Sequence, residues 1–190
     1  KEHPSLAPVA AGAIAIAWTI MLVRVGVVVA LIDPGLLRTL GVPLGAMIVA
    51  AIVGLLVTFH RDGEHGEQPT LKNPFELGNA VKVSLVFGVV LLATKAATVY
   101  LGAKGLYLAS AISGATDVDA VVVSSAKLSS DGVASVMTST AIVIAIGANT
   151  IVKTVLAWWI GRSALGKRVA VTGALIIVAG GAALAVTGLA

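Results

Sequence analysis

From Leu6 to Ile32 the sequence carries a single charged residue, Arg24. At about 1.5 Å per residue, a helix over this run exceeds the roughly 30 Å of a bilayer's hydrocarbon core. Lipid offers no partner to backbone N–H and C=O groups, so the run must satisfy them internally as a transmembrane helix. It is too long for a secretory signal and lacks the small-residue cleavage site of one. The chain starts at Lys1 without Met and reads as a processed or excised piece of a longer protein.

Five further apolar runs follow: about Val42 to Phe59, Asn73 to Tyr100, Gly105 to Lys127, Val133 to Trp159 and Val169 to Leu189. Asp33-Pro-Gly, Gly102-Ala-Lys-Gly105, Ser129-Ser-Asp-Gly132 and the basic stretch Gly161–Arg168 are the turn signals between them. Asn73-Pro-Phe-Glu opens the third run with Pro in the first turn and an acid at the positive end of the helix dipole. The chain is 58% hydrophobic and 12% charged, far from the globular norm of about 45–50% apolar and about 25% charged. The sequence therefore predicts an all-α membrane protein with about six transmembrane helices in three hairpins. It is one domain over 1–190, with an exposed loop at about 60–73.

Several function classes drop out. Without cysteine there is no thiol nucleophile, disulfide framework or cysteine metal site. The +4 net charge comes without a basic run interleaved with aromatics, so a nucleic-acid partner is not expected. His60 and His65 in the hydrophilic loop lack the spacing that fixes a metal geometry, and the loop reads as solvated. The 21 glycines favour close helix packing, and Trp158-Trp159 marks one membrane interface.

The fourth run is the exception, because it carries Asp117 and Asp119 near its middle. A carboxylate there costs roughly 2.5–3.5 kcal/mol on insertion scales and needs a partner, water or a proton. Arg24, Lys95 and Lys153 each stand about 13–16 Å before the following turn, a depth close to that of Asp117. The three cations could instead extend to the interface, but a short aspartate cannot. Lys95 is the first choice as partner of Asp117, with Arg24 or Lys153 for Asp119.

Two residues apart, the aspartates point about 200° apart on a regular helix. Ser113-Gly-Ala-Thr116 favours an interruption, after which Thr116 or Asp117 caps a new helix from Val118. A continuous helix with each Asp turned to a different neighbour is the other reading. Asn149 and Lys153, four apart, share a face that turns toward the aspartates. Asp119, less firmly partnered, is expected to be the group that holds a proton. If crossings alternate, the loops after the first, third and fifth helices share a side, and a small excess of basic residues puts that side in the cytoplasm. The cation on each odd-numbered helix suggests a weak repeat of three hairpins.

Asn73-Pro-Phe-Glu-Leu, Gly105-Leu-Tyr-Leu, Ser113-Gly-Ala-Thr-Asp-Val-Asp-Ala120, Asn149-Thr-Ile-Val-Lys153 and Gly161-Arg before Gly166-Lys-Arg together resemble the C-terminal membrane domain of bacterial MgtC/SapB-like proteins. Arg24 with Asp33-Pro-Gly-Leu-Leu resembles its opening helix. The resemblance implies a multi-pass protein of the bacterial inner membrane, an MgtC-type membrane portion upstream, and an association with magnesium limitation.

These readings converge on a transporter or ion-conducting module. Asp117, Asp119, Thr116, Ser113 and Asn149 would bind the ion or solute, with Lys95, Arg24 and Lys153 as charge partners. Three cations against two carboxylates leave a formal +1, which suits a protonatable or anion-accepting site better than a bare divalent cage, and neither a metal nor a cofactor is expected. The alternative is a non-transporting regulatory or assembly protein whose buried charges fix helix register. An enzyme is not expected, because no nucleophile–base pair accompanies the carboxylates. The expected partners are the lipid bilayer, a small ion or solute, and a second copy in a homodimer.

Overall fold

The computed structural model describes residues 7–60 and 105–188, and among them there are helices and tight turns but no strand. The helices are α1 (Ala7–Ile32), α2 (Leu37–His60), α3 (105–116), α4 (Val118–Ser130) and α5 (Ser135–Val186). The expected loop at about 60–73 and the third predicted helix, with Lys82 and Lys95, lie outside the described residues.

The α1–α2 hairpin follows from its turn. Asp33 leaves helical geometry at φ −143° and its side chain accepts the Gly35 N–H at 3.0 Å. Pro34, whose fixed φ suits a first helical position, then starts the short 3-10 turn Pro34–Leu36. The two helices run antiparallel, close enough that a Cβ on Gly26 would stand 3.3 Å from Leu44 Cδ2.

Helical bonding runs through all of α5, yet α5 is not straight. On a straight helix Thr154 and Gly173 would lie about 28 Å apart. Here a Cβ on Gly173 would be 2.7 Å from Thr154 Oγ1, and one on Gly166 would be 2.7 Å from the Trp158 ring. The chain therefore folds back between two arms, Ser135–Trp159 and Leu165–Val186, which correspond to the fifth and sixth predicted runs. The second arm packs on α2, with Gly54 against Thr172 and Gly180 against Met47. α4 packs on α1 and α5.

Among the described residues, four segments are long and apolar enough to cross a membrane: Val9–Ile32, Pro34–Thr58, Ser135–Trp159 and Leu165–Val186. Their surface is inverted relative to a soluble protein. Ile20, Leu31, Val155, Val178 and Trp159 face outward, while Ser110, Ser113, Ser125, Ser139, Thr150, Thr172 and Asn149 are buried. Outward apolar and inward polar residues are what lipid as solvent selects. Thr19, Thr58, Thr140, Thr150 and Thr154 donate to the carbonyl four residues earlier, so these hydroxyls need no water.

One contact revises the expected topology. Thr39, near the start of α2, and Ser139, near the start of α5, share a hydrogen bond of 2.8 Å between their hydroxyls. The Asp33 turn and the turn before Ser135 therefore lie at the same end of the bundle. Six strictly alternating crossings would put them at opposite ends, so the alternation predicted from the sequence does not fit.

Candidate functional site

α3 closes with Asp117 N–H donating to Ser113 C=O at 2.7 Å. The next bond of an unbroken helix would run from the N–H of Val118 to Gly114 C=O. It is not made, because Asp117 turns extended at φ −146°, ψ 112° and a new helix begins at Val118. The Asp117 carboxylate accepts the Asp119 N–H at 2.9 Å and so caps that new helix. Thr116 Oγ1–H donates to Ser113 C=O at 2.8 Å, which leaves the cap to Asp117. The interruption expected within Ser113–Asp119 falls at Asp117.

The carbonyl released by the break has a new donor. Asn149, on the first arm of α5, donates its Nδ2–H to Gly114 C=O at 3.0 Å. An amide side chain from another helix thus stands where the backbone N–H of residue 118 would have been. The two helices must come very close, and Gly114 allows it: a Cβ there would collide with the Ala145 backbone, lying 2.6 Å from its oxygen. Asn149 is 4% exposed, and its Oδ1 has no hydrogen-bond partner. It sits about 21 Å along the arm from Ser135 and about 15 Å from Trp159, deep within the span.

One step into α4, Asp119 pairs with Arg24 of α1 at 2.6 Å. Lys153 approaches the same region, its Nζ 3.8 Å from Met21 Sδ and close enough to Arg24 and Asp119 to interact with both charges. Arg24 is thus the choice made between the two cations proposed for Asp119. The pairing also corrects the expectation that Asp119 is the loosely held carboxylate, because its charge is already matched. Lys95, the proposed partner of Asp117, lies outside the described residues. Among the described residues no three His, Cys, Asp or Glu side chains gather as a metal-binding group.

The structure thus brings together Ser113, Thr116, Asp117, Asp119, Asn149, Arg24 and Lys153 around one helix break. Two residues were missed. Met21 stands three positions before Arg24, on the same helix face, and that spacing could have flagged it. Ala145 stands four positions before Asn149, so it shares the face turned to α3.

These features define a multi-helix membrane protein in which a broken helix stands beside an ion pair on the surface of the bundle. The chain belongs to the family described as Domain of unknown function (DUF4010), whose model matches residues 1–161. That match does not name the MgtC/SapB-like proteins. An uncharacterized protein of Aquifex aeolicus (strain VF5) is 27% identical over 122 residues, covering 63% of this chain and 53% of that protein. The chain thus spans about half the length of this relative. No solved structure matches it.

Proposed function

We propose that the chain is a transporter or ion-conducting module of the bacterial inner membrane, related to the MgtC/SapB-like proteins, and that the break at Asp117 holds the ion or solute it moves. The observation that supports this reading is the replaced bond: the amide of Asn149 occupies the carbonyl that the break sets free. Irregular backbone at membrane depth is tolerated where it is buried in protein or lines a cavity, and transporters build midplane sites from such half-helices. The second reading is a regulatory or assembly protein, favoured by the Arg24–Asp119 pair, which by itself fixes the register of α1 against α4. Ion-resolved flux into liposomes carrying the purified protein separates the two. Transport predicts movement of at least one ion above protein-free liposomes, and the second reading predicts none.

The finer topology is also part of the proposal. α4 ends at the turn before Ser135, so Asp117 lies about 20 Å in from that end. The first arm of α5 is buried from Thr138 through Val143 and again at Ala145 and Ile146, while Ile151, Val155, Leu156 and Trp159 are exposed. Asn149, Thr150 and Ala157 are buried as well; in the proposed topology α3 returns along α4, so that 105–130 enters and leaves the bilayer from the same side. The chain has no native cysteine, so single-cysteine labelling is direct. Leu108→Cys, Ser130→Cys and Gly35→Cys are expected to react with a membrane-impermeant maleimide from one side, and His60→Cys from the other. Labelling of Leu108→Cys from the His60 side alone contradicts a re-entrant hairpin.

A further inference from the structure

We infer that the break at Asp117 is a binding site for a single dehydrated alkali-metal cation, with Asn149 Oδ1 and the Asp117 carboxylate as ligands; the inference rests on the transport reading and names its substrate class. The buried polar inventory supplies the first reason. Asn149 spends its donor on Gly114 C=O, and the oxygen of the same amide is left without a partner in a nearly fully buried position. An orphaned buried acceptor is destabilising, and a bound cation relieves it where an anion does not.

The backbone supplies the second reason. α3 ends at the break, so the carbonyls of its last turn point toward Asp117 and carry the negative end of the helix dipole. Two carbonyls of that turn have assigned donors, Ser113 O from Asp117 N–H and Thr116 Oγ1–H, and Gly114 O from Asn149. The positive end of α4 is already occupied by the Asp117 cap. What the break presents to a ligand is therefore oxygen.

Charge selects the valence. Asp119 is neutralised by Arg24, and Asp117 commits only one carboxylate oxygen to its cap. Among the described residues Asp117 and Asp119 stand against Arg24 and Lys153, so the site is formally neutral, and what it leaves to a ligand is the second Asp117 oxygen together with neutral oxygens. Arg24 and Lys153 nearby oppose a divalent ion, which takes six or more oxygens and more than one carboxylate. A monovalent ion is matched by a single carboxylate and neutral oxygens, the donor set found where unwound transporter helices hold Na⁺.

Equilibrium binding tests this separately from flux. The purified chain in detergent is titrated with NaCl, KCl or LiCl at constant ionic strength, balanced with N-methyl-D-glucamine chloride, and its thermal unfolding is followed. At least one alkali cation is expected to raise the unfolding temperature saturably by several degrees. Asp117→Asn keeps a capping acceptor, so it should match wild type in N-methyl-D-glucamine but lose the cation response. Asn149→Leu should lose it too. Absence of any alkali-cation shift in wild type, a shift with pH alone, or an equal shift in Asp117→Asn overturns the inference. Such a failure beside measurable flux of another solute leaves the transport reading standing, whereas cation binding without flux removes transport and leaves the site.

Discussion

Gly114→Ala is expected to lower the stability of the folded protein by about 2 kcal/mol or more, and Gly114→Val to prevent α3 from docking. Local preference points the other way, since alanine within a helix is favoured over glycine by up to about 1 kcal/mol. Packing wins because the obstacle is main chain. A Cβ at 114 meets the Ala145 backbone, which cannot rotate aside as a flexible side chain could. Gly147→Ala is the matched control, two residues along the same arm, where a Cβ meets nothing within 4 Å. Thermal unfolding in detergent checks both: Gly147→Ala should hold or rise slightly while Gly114→Ala falls. Equal behaviour of the two variants would mean that the close crossing, and with it the Asn149 bond to Gly114, is absent.

Arg24→Ala is expected to cost roughly 3 kcal/mol, the range for stripping one partner from a charge pair held away from water. The two side chains are 56% and 38% exposed on the protein surface, values that in water would make the pair worth under about 1 kcal/mol. Depth changes that outcome, because Arg24 lies about 12 Å inside the end of α1, where the surroundings are lipid or protein. Removing Arg24 takes away the direct partner of Asp119 and leaves only the more distant Lys153 charge; removing Asp119 as well should recover much of the loss. A double-mutant cycle with Arg24→Ala and Asp119→Ala reads this coupling directly. Strict additivity would show that the two residues contribute independently. By the same reasoning, Asp117→Ala should cost about 1 kcal/mol more than Asp117→Asn, since asparagine still caps α4.

The parts of the fold that could be read from sequence are those fixed by local chemistry. Asp33-Pro-Gly determines its turn through one side-chain bond and one fixed φ, and the helices on either side follow from uninterrupted apolar length. The break at Asp117 was legible for the same reason: a glycine among hydroxyls, followed by an acid able to cap, is a local signal. What the sequence did not disclose depends on contacts between distant residues. The Thr39–Ser139 bond places two turns at one end, and no periodicity carries that information. The pairing of Asp119 with Arg24 rather than Lys153 is decided by how α1 and α4 lie together, since both cations stood at suitable depth. The exchange of a backbone donor for the Asn149 amide required a helix approach that only Gly114 beside Ala145 permits.

The most direct measurement of the central claim is ion flux into liposomes carrying wild-type protein, Asp117→Asn or the control Asp131→Asn, with each variant first shown to fold. Asp131 is exposed in the turn after α4, far from the break. Wild type and Asp131→Asn are expected to transport equally, while Asp117→Asn loses at least about tenfold, a loss equivalent to about 1.4 kcal/mol. Undiminished flux through folded Asp117→Asn would contradict the claim that the helix break holds the transported ion.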